Sequence, residues 1–214
     1  MKPFDYSRTK PYKFYTFIRP VGTFLFYTLF NSRVIGKENI PKSASGIILC
    51  SNHLHSIDPV FFTSATKLRW RFIAKIELFN TKFTTWFYTH CNAIPVDRDK
   101  IDRAALDCAV AALEEGSCGL GVFPEGHRSK DGRPQEGKNG IAMLARKTKA
   151  DILPCSIYHD GPLKFRTKLT IRIGELIPFA ELGMGESPNA KQSRAATAKI
   201  MAAVTELWAK GHGD

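Results

Sequence analysis

Apolar residues fall along this chain in two rhythms. Stretches of strand length fall at 46–50, 72–74, 119–123, 152–158 and 169–173, and 46–50 is a short apolar run of the kind buried on both faces. Between them lie longer stretches with helical spacing. The clearest is 101–115, which is alanine-rich, carries Leu106, Ala109, Val110 and Leu113 as apolar positions, and meets Gly116 at its end. The same reading predicts helices over 79–90, 140–149 and 190–210, and further strands over 33–36 and 93–96. Asp58-Pro59 reads as a helix start, with Asp at the N-cap and Pro at the first helical position. No internal repeat or low-complexity linker interrupts the alternation. The pattern predicts an α/β fold with a largely parallel central sheet flanked by helices. Polar motifs that follow successive parallel strands would then meet on one rim.

The N-terminal region departs from this alternation. Residues 14–30 are mostly apolar, but Arg19-Pro20 breaks the run. A bilayer-spanning helix needs about 20 mainly apolar residues, and this run falls short. It also lacks the uninterrupted core and small-residue cleavage site of a signal peptide. The expectation is two short helices, broken near 19–22, lying on or in one leaflet. Residues 1–32 are therefore read as a membrane-associating element and 33–214 as the α/β domain.

Composition sharpens this picture. A chain of 214 residues, 43% hydrophobic, suits one compact domain. Its formal charge of +11 calls for an acidic partner. From Met1 to Lys42 there are eight basic residues against two acidic ones, and ten aromatics occur by Phe30. Cations among aromatic rings suit a lipid headgroup layer, so a membrane surface is expected rather than nucleic acid. Single-stranded nucleic acid could use the same mixture. The five cysteines are odd in number and show no Cys-x-x-Cys spacing. That argues against a disulfide framework or a zinc site and fits a reducing compartment.

Two segments carry candidate chemistry. In Asn52-His53-Leu54-His55-Ser56-Ile57-Asp58, a histidine and a carboxylate stand five residues apart. One continuous helix would separate them by about 140°. A turn between a strand and a Pro-started helix could instead bring Asp58 to one ring nitrogen of His53. That would fix the tautomer and leave the other nitrogen to accept a proton from a hydroxyl, an effect of roughly 10²–10⁴-fold in rate. The bland alternative is a helix cap beside a satisfied turn histidine. The second segment is Phe123-Pro124-Glu125-Gly126-His127-Arg128-Ser129. Arg128 offers a rigid fork of donors for phosphate, and Gly126 permits close backbone approach. Glu125 could orient Arg128 or accept a substrate hydroxyl.

Taken in order, these segments resemble the glycerophospholipid acyltransferase family, most closely its 1-acyl-sn-glycerol-3-phosphate acyltransferase type. Three further segments fit. Ala93-Ile94-Pro95-Val96-Asp97-Arg98 is similar to the family's second block, Ile152-Leu153-Pro154-Cys155-Ser156-Ile157 to its fourth, and Ala74-Lys75-Ile76-Glu77-Leu78 to a phosphate-binding segment. The resemblance implies His53 and Asp58 as catalytic residues. It implies Lys75, Arg98, Glu125, Gly126 and Arg128 around the substrate phosphate. The implied reaction moves an acyl chain from an acyl thioester, acyl-CoA or acyl carrier protein, to the sn-2 hydroxyl of 1-acyl-sn-glycerol-3-phosphate. The product is phosphatidic acid, in phospholipid biosynthesis at the cytoplasmic face of a membrane. No metal or other cofactor is required.

Three positions depart from the family pattern. His55 stands where serine is usual, His127 where threonine is usual, and Asn92 where glycine commonly begins the second block. These leave an ornithine- or inositol-containing lysolipid as the alternative acceptor. A serine hydrolase would want Gly-x-Ser-x-Gly, which Gly116-Ser117-Cys118-Gly119 does not supply. His53, His55, Asp58 and His127 are metal-ligand types, but a metal site is not expected. A basic nucleic-acid-binding protein would leave both motifs unexplained.

Overall fold

A computed structural model describes residues 4–9, 13–97, 102–185 and 189–213. Its centre is a seven-stranded sheet built from β1 (Asn31–Ile35), β2 (Ile47–Cys50), β3 (Trp70–Lys75), β4 (Ile94–Val96), β5 (Gly119–Val122), β6 (Asp151–Tyr158) and β7 (Lys168–Ile173). The spatial order is β1-β7-β6-β2-β5-β3-β4. Every neighbouring pair is parallel except β6 and β7. The expected α/β architecture is therefore present. β2 lies at the middle of the sheet, so the loop after it emerges at the centre of the rim.

Among the described residues six α-helices accompany the sheet: α1 (Phe14–Leu29), α2 (Asp58–Thr66), α3 (Lys82–His90), α4 (Arg103–Glu114), α5 (Gly140–Thr148) and α6 (Ala190–Ala209). Alternation along β2 shows how the layers form. Ile48 and Cys50 pack into a core with Ala109, Leu113, Ile141 and Ile200 from α4, α5 and α6. Ile47 and Leu49 point the other way, into a core with Phe26 of α1 and Phe61 and Phe62 of α2. Both faces of the strand are dry, which explains a continuous apolar run in place of alternation. In β5 a Cβ at Gly119 or Gly121 would overlap the rings of Trp70 and Phe72. These glycines let large aromatics of β3 lie flat across their neighbour.

Several expectations are corrected. The expected break near 19–22 is absent: α1 runs unbroken through Pro20. Proline forfeits one helical hydrogen bond but holds a helical φ, and packing on α2 spans both sides of it. The Tyr15 hydroxyl donates to Thr63 Oγ1 (3.1 Å), Gly22 abuts Val60, and Phe26 packs on Phe61. Among the described residues no helix is long and apolar enough to cross a membrane. Asp58 is not the cap of α2: Ile57 takes that place, and Asp58 is the first helical residue. The helix expected over 79–90 starts later. A short 3-10 turn (Ile76–Phe79) precedes it, and Thr81 forms a capping box with Thr84 at the start of α3. All five cysteines are free thiols.

Candidate active site

The loop after β2 is held from both sides. Buried Asn52 donates from Nδ2 to the Ile157 carbonyl and accepts the Ile157 N–H at Oδ1, both at 2.9 Å. This clamps the start of the loop to β6. The chain then turns so that Asp58, buried at the first turn of α2, faces back into the loop. Its Oδ2 accepts the Leu54 N–H (2.7 Å) and the His55 N–H (2.8 Å) and lies 2.7 Å from His53 Nδ1. A carboxylate can only accept, so Nδ1 carries the proton and Nε2 is left as the basic nitrogen. Asp58 is thus the folding centre of the turn as well as the partner of His53. The turn supplies what helical spacing alone could not.

The second motif closes over the first. The His53 ring stacks on Phe123 at 4.0 Å and 13°. The Ser129 N–H donates to the His53 carbonyl (2.8 Å). Glu125 Oε1 accepts the His53 N–H at 3.2 Å. The Glu125 carboxyl is wholly buried, and its Oε2 has no partner among the described residues. Burial pushes its pKa up to about 7, while the backbone donors of His53 and Gln135 pull the other way.

The expected phosphate residues therefore separate. His53, Lys75 and Arg128 line one cavity of about 550 Å³, with Tyr15, Ile57 and Phe72 among its apolar walls. Lys75 ends β3 and pairs with Glu77 at 2.7 Å. Glu125 and Gly126 do not line that cavity. Glu125 is turned inward, where it ties down the His53 loop. Gly126 has φ +75°, and the Lys138 side chain lies over it. Arg98 lies outside the described residues.

The unusual positions also resolve. Asn92 takes φ +63°, so it stands in for glycine in a left-handed turn. The His55 ring stacks with His159 at 5.2 Å, away from the cavity lining. His127 is exposed, with Nδ1 3.4 Å from the Arg128 carbonyl. Among the described residues no cluster of three or more His, Cys, Asp or Glu side chains could hold a metal ion. Sequence reasoning missed two contributors. Arg19 lines the catalytic cavity from α1, a placement no local pattern signals. Asn52 was visible beside His53, but its clamp on β6 depends on a residue 105 positions away.

This arrangement has relatives. Over 176 residues the chain is 29% identical to a 1-acyl-sn-glycerol-3-phosphate acyltransferase of Streptococcus pneumoniae, covering 79% of this chain and 64% of the relative. A protein of the same name from Borreliella burgdorferi is 34% identical, covering 60% of this chain and 51% of the relative. The chain thus spans about half to two thirds of the length of these two proteins. The solved structure of a 1-acyl-sn-glycerophosphate acyltransferase from Thermotoga maritima superposes with a TM-score of 0.69 at 27% identity, covering 90% of this chain and 79% of the other. Residues 31–158, from β1 to the end of β6 and including both motifs, match the family model described as Acyltransferase, and the chain belongs to that family.

Proposed function

We propose that this protein transfers an acyl chain from an acyl thioester to the sn-2 hydroxyl of 1-acyl-sn-glycerol-3-phosphate, forming phosphatidic acid. The observation that carries the reading is the His53–Asp58 pair, whose ring faces a cavity that also holds Lys75 and Arg128. A base beside two cations fits an acceptor bearing both a hydroxyl and a phosphate. The apolar walls fit its chains. The names of the similar proteins agree with this acceptor.

In the proposed reaction the phosphate rests on Lys75 and Arg128, and the free hydroxyl faces His53 Nε2. The alcohol oxygen attacks the thioester carbonyl as its proton passes to Nε2. Asp58 stabilises the imidazolium through Nδ1. The tetrahedral intermediate collapses, the C–S bond breaks, and the leaving thiolate takes the proton from the imidazolium. Every atom and charge balances without a metal or a covalent acyl-enzyme. Acyl-CoA and acyl carrier protein both supply the required thioester.

The protein is further proposed to work at a membrane, peripherally and from the cytoplasmic side. Phe17 and Phe24 on α1 are 76% and 67% exposed, and Phe83 on α3 is 70% exposed. Exposed aromatics on two helices whose other residues line the cavity suit a leaflet holding the lysolipid. The test is purified protein with acyl-CoA or acyl carrier protein thioester and a panel of lysolipids, products read by mass spectrometry. Phosphatidic acid is the expected product. Thioester consumption only with ornithine- or inositol-containing lysolipids would reassign the acceptor, and no consumption with any lysolipid would overturn the reading.

A further inference from the structure

A second groove, of about 460 Å³, runs beside α1. Its walls include Pro20, Phe24, Tyr27 and Thr28, and two cations, Arg19 and Lys67, complete it. Among the described residues no acidic side chain lines it. The Arg19 guanidinium is fixed there, because its Nη1 donates to the Lys67 carbonyl at 2.8 Å. Arg69 stands close by and donates to Thr16 Oγ1 at 3.2 Å. Arg19 also lines the catalytic cavity, so the groove and the cavity adjoin across one side chain.

Lys67 is the informative residue. It caps α2 with φ +59°, a left-handed conformation that glycine or asparagine ordinarily fills. A lysine there carries a backbone penalty that glycine would avoid. Its exposed ammonium has no partner among the described residues. The groove it shares is aromatic and open, with Phe24 exposed and Tyr27 46% exposed. Cations beside apolar, aromatic walls match a phosphate headgroup joined to acyl carbons. A free phosphate would leave those aromatic walls in water.

We propose that this groove binds the phosphate headgroup and upper acyl carbons of an anionic phospholipid of the leaflet, separately from the acceptor in the catalytic cavity. The proposal rests on the membrane placement given above, and it names the lipid class that placement selects.

The test uses the full chain and two variants, Lys67→Gly and Lys67→Asn, both of which tolerate a left-handed backbone. Sedimentation is measured with vesicles of phosphatidylcholine alone and with about one fifth phosphatidylglycerol. One basic group near an anionic surface is worth about 1 kcal/mol, about fivefold in binding. Both variants are expected to bind the anionic vesicles about fivefold more weakly. Their binding to neutral vesicles stays at the parent level, and Lys191→Ala on the distant α6 changes little. Unchanged binding in both Lys67 variants overturns the proposal. So does an equal loss in Lys191→Ala, which would mean diffuse attraction. Displacement by inorganic phosphate at constant ionic strength would likewise replace lipid with free phosphate as the ligand. Acyl transfer to a short-chain soluble acceptor is followed on the same preparations and should not change with Lys67. A parent protein without that activity sinks the catalytic reading and leaves the vesicle comparison intact.

Discussion

Asp58→Asn separates the two roles of Asp58. Its Oδ2 accepts two backbone N–H groups and faces His53 Nδ1, all within 2.8 Å. An asparagine side-chain oxygen can still accept both backbone donors, so the turn should survive. What it cannot do is stabilise an imidazolium as a carboxylate does: the oxygen in the place of Oδ2 still accepts the Nδ1 proton, so the tautomer is kept while the negative charge is lost. Base catalysis as a whole is worth roughly 10²–10⁴. The expected loss here is about 10³-fold in kcat, or ~4 kcal/mol of transition-state stabilisation. KM for the lysolipid should stay within about threefold, because Lys75 and Arg128 are untouched. Since Asp58 acts through His53, the double variant with His53→Ala should be no slower than His53→Ala alone. The assay is initial-rate thiol release at saturating donor, with circular dichroism to show a retained fold. A folded Asp58→Asn protein keeping more than a tenth of parental kcat would refute the reasoning, as would additive losses in the double variant.

Three further outcomes are expected. Glu125 has a folded-state pKa raised to about 7 from an ordinary value of 4.5. Ionising it therefore costs stability, a penalty absent below about pH 4.5 that grows as pH rises toward 7. Glu125→Gln should gain melting temperature relative to the parent across that window; a constant difference between the two proteins would count against it. Arg128→Ala and Lys75→Ala should each raise KM for the phosphate-bearing acceptor about tenfold, the scale of a hydrogen bond to a charged group. With a monoacylglycerol acceptor lacking phosphate the effect should vanish, and its persistence would mean a structural role. Gly126→Ala places a Cβ 3.1 to 3.2 Å from the Lys138 side chain at φ +75°. It should lower unfolding free energy by about 1–2 kcal/mol in urea titration.

The order of strands and helices was legible in the chain because both faces of the sheet are buried, and burial on both faces leaves unbroken apolar runs. The His53–Asp58 pair was legible only as a possibility. The turn that joins them depends on Leu54 and His55 backbone donors converging on Asp58 Oδ2. The misreadings have one cause. Pro20 and Asp58-Pro59 were read by local propensity, which yields to packing. Proline inside α1 is tolerated because α2 grips the helix on both sides. Asp58 leaves its capping position because three donors of the preceding loop compete for it.

The amino-acid sequence by itself determined the alternation of elements, the basic and aromatic N-terminal region, and the residue types that the chemistry needs. Those properties are local, set by side-chain identity and spacing. The tertiary structure decided which residues share a cavity. Lys75, Arg128 and Arg19 come from β3, the loop after β5 and α1, and parallel pairing and helix packing bring them beside His53. The same folding turned Glu125 inward, where a charged residue from a polar motif became a buried tie between two loops. No local pattern distinguishes a carboxylate that will meet solvent from one that will be enclosed, because enclosure depends on chain segments far away in sequence.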